Sequence, residues 1–153
     1  MARITALYQV EEVFGENRGG RSCVRLLHPV QYHVHADDSP EVIVVPAGFV
    51  TDFASIPWGL WNLFPPLGPW ARPAIVHDFL YETSGTGLWE GQRCITRETD
   101  YNRSDADSIF REALAVVGVP GWRRTLMYRA VRLGGGSGWK KRGGPEAPST
   151  DAP

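Results

Sequence analysis

Cysteine is scarce in this chain. Two stand in 153 residues, Cys23 and Cys94. They lie far apart and form no CxxC pair, which argues against a structural zinc site. They leave room for one disulfide or for two thiols in a reducing compartment. Long apolar runs are missing as well: no stretch reaches the roughly 18–20 residues that a membrane-spanning helix needs. The opening residues MARITALYQVEEVF hold no extended apolar segment of the signal-peptide kind. Charge of one sign is not in excess either, since 16 Lys and Arg stand against 17 Asp and Glu. Nothing global therefore favours nucleic acid or an acidic membrane surface. Basic residues gather only locally, at Arg123, Arg124, Arg129, Arg132, Lys140, Lys141 and Arg142. They read as a solvated helix face and tail, with a polyanion-binding surface as the minor alternative, and they make no nucleic-acid recognition motif. These absences lead us to expect a soluble protein made in a cytoplasm.

What is present is glycine, proline and aromatic residue: 17 Gly, 12 Pro, six Trp, five Tyr and six Phe. The length fits one domain, expected over 1–133. Residues 134–153, rich in Gly, Pro and Lys, read as a disordered tail.

Ile4 to Val10 suggests a short strand and FGENRGGR a turn cluster. CVRLL reads as a strand. VQYHVHA alternates in the period of a strand, ADDSP turns, and EVIVV is β-branched, so a hairpin is expected. That reading puts His33 and His35 on one strand face, more as an exposed polar face than a metal pair. Residues 45 to 70 are broken by Pro and Gly into a shaped apolar loop, with a short helical turn around Pro57 to Leu63. Three helices follow, about Trp70–Tyr81, Asn102–Val117 and Pro120–Leu133. Between the first two, ETSGTGLWEGQRCITRETD is long enough for a lid or a β-excursion. Strands then helices make an α+β domain: a small N-terminal antiparallel sheet or hairpin, a Pro/Gly-rich loop and three packed helices.

The first helix carries AIVHDFLYE, residues 74 to 82. It is apolar almost all round, which predicts burial. His77 and Tyr81 are i and i+4 and share a face, and Asp78 points about 100° away. Buried polar groups require partners. On the second helix Arg103 and Asp107 are i and i+4. Antiparallel packing would let Asp107 hold His77 and Tyr81, the arrangement of a general base kept in one tautomer. FVTDFASIP adds Thr51, Asp52 and Ser55, which suit a self-bonded turn. In a functional version Asp52 would join Asp78 on a metal, or Ser55 would be a nucleophile, although no G-x-S-x-G elbow surrounds it.

Five stretches together resemble a family of unknown function, DUF1353, found mostly in bacteriophages and prophages. They are VPAGFVTDFASIP (45–57), FPPLGPW, AIVHDFLY, the set Arg103, Ala106, Asp107 and Phe110, and GVP with YRAVR (118–132). The likeness covers roughly residues 22 to 133. It implies a phage-encoded protein made in the host bacterial cytoplasm, and it supplies no activity. HDxxY on a helix also resembles the catalytic helix of phospholipase A2 enzymes. That resemblance implies His77 as the base that activates water and Asp78 as a calcium ligand, with Tyr81 and Asp107 as a brace. The glycine-rich calcium loop and the many disulfides of secreted members are not present.

Two functions follow. One is a small hydrolase acting on a host envelope or lipid component, based on His77, with Asp52 and Asp78 holding calcium if a cation is needed. The other is a non-enzymatic tail, virion or accessory protein that meets other phage structural proteins. They part on geometry. An enzyme needs His77, Asp78, Asp52 and Asp107 to converge on a cleft that solvent reaches. A structural domain buries them with every partner satisfied.

Overall fold

The computed structural model describes residues 2–5, 8–18, 21–53 and 68–141. Ser55, the expected turn at Pro57–Leu63, the aromatics Trp58, Trp61 and Phe64, and residues 142–153 lie outside them.

Two three-stranded antiparallel sheets come first. One has the order β1 (Arg3–Ile4), β4 (Val30–His33), β5 (Val42–Val45). Its inner face follows from alternation: Val30, Tyr32, Ile43 and Val45 are wholly buried, while Gln31 between them is exposed. The other has the order β2 (Val10–Arg18), β3 (Arg21–Leu26), β6 (Val50–Thr51). The segment FGENRGGR, expected as a turn cluster, lies largely within the β2–β3 pair, which absorbs its irregularity as a register shift between Val13 and Asn17. The strand expected from Ile4 to Val10 is accordingly divided between β1 and β2.

Helix α1 spans Ala71–Glu82, and every residue in it except Arg72 and Glu82 is buried. It therefore runs through the core. It packs against α2 (Arg103–Val116), whose start is fixed by a capping box. Asn102 accepts from the Asp105 backbone N–H, and the Asp105 side chain accepts from that of Asn102. The inner face of α2 carries Ala106, Asp107, Ile109, Phe110, Ala113 and Leu114. Helix α3 (Gly121–Gly134) buries only Met127 and Val131. Trp122 and Leu133 are 62% and 90% exposed. The architecture is α+β, with antiparallel sheets first and helices after.

The excursion after α1 is packed rather than loose. Thr83 to Gly85 close the helix, and Gly85 (φ +78°) lies so near the Tyr101 carbonyl that an added Cβ would sit 1.7 Å from its oxygen. A small hairpin follows, β7 (Leu88–Trp89) with β8 (Gln92–Arg93). Trp89 sets its ring edge-on to Phe49, with centroids 5.3 Å apart. Ile95 is buried and bridges to Ile43, while Val44 N–H donates to the Cys94 carbonyl. The segment thus continues the sheet beyond β5. Neither cysteine forms a disulfide, and Cys23 is buried.

The expected disorder from residue 134 onward is corrected in part. Gly136–Lys141 forms a short helix, α4, on the end of α1. The Trp139 ring stands edge-on to Tyr81 at 5.0 Å. Aromatic burial here offsets the conformational cost of the glycines that composition alone emphasises.

Candidate functional site

The two polar neighbours on α1 serve two different walls. His77 faces α2. Its Nε2 lies 2.7 Å from Asp107 Oδ1, and Tyr81 donates its hydroxyl to the same oxygen at 2.6 Å. The second oxygen, Oδ2, accepts from Arg132 of α3 at 2.8 Å, and Arg103 stands 3.9 Å from it. Contacts of residue 77 with 107 and of 81 with 103 run in opposite senses along the chain, so α1 and α2 are antiparallel. The His77 ring lies between those of Tyr81 and Phe110, at 4.3 and 4.7 Å. Residue exposure falls to 2% at His77 and 0% at Asp107.

Charge follows from these contacts. Burial raises the pKa of the Asp107 carboxyl. Hydrogen bonds from His77 and Tyr81, the His77 charge interaction and the Arg132 bond together outweigh it and hold the pKa below the ordinary value. Asp107 is therefore ionised across the neutral range. The Tyr81 hydroxyl shifts the other way, raised by burial first and then by its bond to Asp107.

Arg103 closes the network. It donates Nε to the Tyr81 hydroxyl at 3.2 Å, and its NH2 group to the carbonyls of Val131 at 2.9 Å and Arg132 at 2.6 Å. Those carbonyls belong to the last turn of α3, where helical partners run out. Gly135 lies directly above. A Cβ there would meet the Val131 oxygen at 2.5 Å and the Tyr81 hydroxyl at 2.7 Å. One carboxylate and one guanidinium thus link α1, α2 and the end of α3.

Asp78 faces the other way. Its Oδ2 accepts from the Thr51 hydroxyl on β6, and Thr51 Oγ1 in turn accepts from Phe53 N–H at 3.0 Å. Thr51, Asp52 and Asp78 are all buried. Phe53 follows with φ +54°, a left-handed conformation costly for an aromatic residue. The expected self-bonded turn at Thr51 is present, and it is anchored on α1. Calcium takes six to eight oxygen ligands. Among the described residues no group of three or more His, Cys, Asp or Glu comes together as a metal site. Asp78 Oδ2 already receives the Thr51 hydroxyl.

His33 and His35 do not share a strand face. The strand ends at His33, whose ring lies by Arg3 and the Ser39 carbonyl. His35 has φ +70° and turns toward α2. There its backbone N–H donates to Glu112 Oε1 at 2.7 Å, and its Nδ1 lies 2.8 Å from Oε2. Tyr32 donates its hydroxyl to Oε1 as well. Burial raises the Glu112 pKa, and these bonds, Tyr32 first, bring it below its ordinary value. This second carboxylate cluster was not apparent in the sequence, and neither was the part of Arg132. For Arg132 the available signal was its place in the YRAVR motif.

No helix among the described residues is long and apolar enough to cross a membrane. No curated protein and no solved structure matches the chain. Residues 24–131 match the family described as "Protein of unknown function (DUF1353)". That span holds both buried polar clusters of α1 and the Val131 carbonyl that Arg103 meets, with Arg132 just beyond it, and on it the chain belongs to the DUF1353 family.

Proposed function

We propose that the chain is a non-enzymatic structural or accessory protein of a bacteriophage, in which the HDxxY helix is a polar keystone of the fold. The observation that carries this reading is the Asp107 carboxylate, wholly buried, with both oxygens taken by donors from two other helices. His77 and Asp78 diverge to separate walls, so His77 with Asp107 and Asp78 with Thr51 form two separate buried clusters. A buried ion pair adds little net stability over a packed apolar core. What it contributes is register. The placement of α1, α2 and α3 satisfies Asp107 and Arg103 together. The phage setting rests on the family likeness, which supports synthesis in a host cytoplasm and a place in or near the virion.

A hydrolase is the second reading, and one observation favours it. His77 and Tyr81 both bond the carboxylate of an antiparallel helix, the brace implied by the phospholipase A2 resemblance. His77 would be the base there.

Urea unfolding of His77→Ala and His77→Gln separates the two, run beside hydrolysis of phosphatidylcholine vesicles with calcium. The keystone reading expects His77→Ala to lose about 2–3 kcal/mol, since a hydrogen bond to a buried charge goes. It expects His77→Gln to recover part of that, because the amide restores a donor. Vesicle hydrolysis by the wild type that disappears in a fully stable His77→Gln variant would overturn it.

A further inference from the structure

The outer face of α2 carries features that the keystone does not use. Ser108, Arg111, Glu112 and Ala115 fall at i, i+3, i+4 and i+7, one stripe of the helix. With Arg124 and Tyr128 of α3 they line an open cavity of about 350 Å³. A second cavity of about 100 Å³ shares Ser108 and Glu112 with it and continues past His35, Glu41 and Tyr101.

The charges in this groove are unevenly committed. Arg97, in the adjoining cavity, pairs with Asp105 there. Arg111 and Arg124 pair with no carboxylate among the described residues. The Arg111 guanidinium lies 5.2 Å over the Tyr128 ring, and Arg124 makes one 3.3 Å bond to the Val119 carbonyl. Stacking on tyrosine leaves the edge of a guanidinium, where its donors are, directed outward. Glu112 counts against an anion by one charge. Both its oxygens, however, are already engaged by Tyr32 and His35 at the β4 end.

We propose that this groove between α2 and α3 binds a small, soluble phosphate monoester. Arg111 and Arg124 would hold the phosphate, with the hydroxyls of Ser108 and Tyr128 as further donors. Two guanidinium forks and two hydroxyls offer more donors than a carboxylate can use and suit a tetrahedral group with three terminal oxygens. The organic part of the ligand would extend into the adjoining cavity, toward His35 and Tyr101.

The test is an amide NMR titration of the full chain with phenyl phosphate and with inorganic phosphate, at constant ionic strength. The expected result is saturable shifts at residues 108–115 and 124–128, with phenyl phosphate the tighter of the two. Arg111→Gln with Arg124→Gln should weaken binding by about tenfold or more. Both side chains sit at the surface, and thermal melting checks that the variant folds. Ser108→Asp, which places a like charge in the groove, should weaken binding independently. Non-saturating shifts, or affinity unchanged in both variants, would overturn the proposal. So would sedimentation with phosphatidic acid vesicles without phenyl phosphate binding, which would assign the site to a lipid surface.

Discussion

Helix α2 carries two carboxylates five residues apart, and each accepts from a tyrosine hydroxyl and lies within bonding distance of a histidine nitrogen. Asp107 meets Tyr81 and His77, and Glu112 meets Tyr32 and His35. The partners match in kind and the surroundings differ. Asp107 is wholly buried with an arginine from α3 on its second oxygen, while the His35 side chain is 75% exposed beside an open cavity. The same hydrogen-bond pattern therefore does two jobs. Where water is excluded, an unmet donor or acceptor is costly, and the cluster fixes helix register. Where water can replace a partner, the cluster is worth little to the fold and positions groups beside the groove.

The largest effect should come from emptying the buried cluster. Asp107→Ala strands a hydroxyl, an imidazole and a guanidinium, and unfolding free energy should drop by about 3–5 kcal/mol in urea titrations. A loss near that of a surface variant would erase the contrast between the two carboxylates. Gly135→Ala comes next, because its Cβ would overlap the Val131 carbonyl and the Tyr81 hydroxyl. We expect about 1–3 kcal/mol of destabilisation, with Trp139 fluorescence reporting release of α4. Glu112→Gln should cost only about 1 kcal/mol, since its cluster is half solvated. Calorimetric melting of Glu112→Gln beside Asp107→Asn gives the ranking directly.

Acid sharpens the same comparison. The folded pKa of Asp107 lies below its ordinary value near 4. Its contribution is present above that ordinary value and lost as pH falls through the folded one. Stability should therefore decline from about pH 5 downward, and Asp107→Asn should flatten the decline. Glu112 is depressed in the same direction, so Glu112→Gln should flatten it less. Urea midpoints at pH 6 and pH 3 measure both.

The buried cluster was legible in the sequence because its members sit on helices. The expected bounds, about Trp70–Tyr81, Asn102–Val117 and Pro120–Leu133, lie close to the observed helices, in the usual range for such assignments. The i, i+4 pairs 77/81 and 103/107 then brought the right groups face to face once antiparallel packing was assumed. The Glu112 cluster joins a strand end to a helix 77 to 80 residues later. It depends on the left-handed turn at His35, which alternation in VQYHVHA conceals. The helix at Gly136–Lys141 was hidden by its glycines, because the Tyr81–Trp139 contact that holds it is tertiary. Asp78 was legible as a buried acid, but its anchoring by Thr51 and the left-handed Phe53 was not, since local spacing says nothing of which strand meets the helix.

In the keystone reading His77 and Asp107 are coupled parts of one structural network. A double-mutant cycle of His77→Ala and Asp107→Ala, read by urea unfolding, tests it most directly. Large single losses are expected, with a coupling of about 1–3 kcal/mol between them. Single variants as stable as the wild type, with no coupling, would contradict it and return His77 to the role of a reactive base.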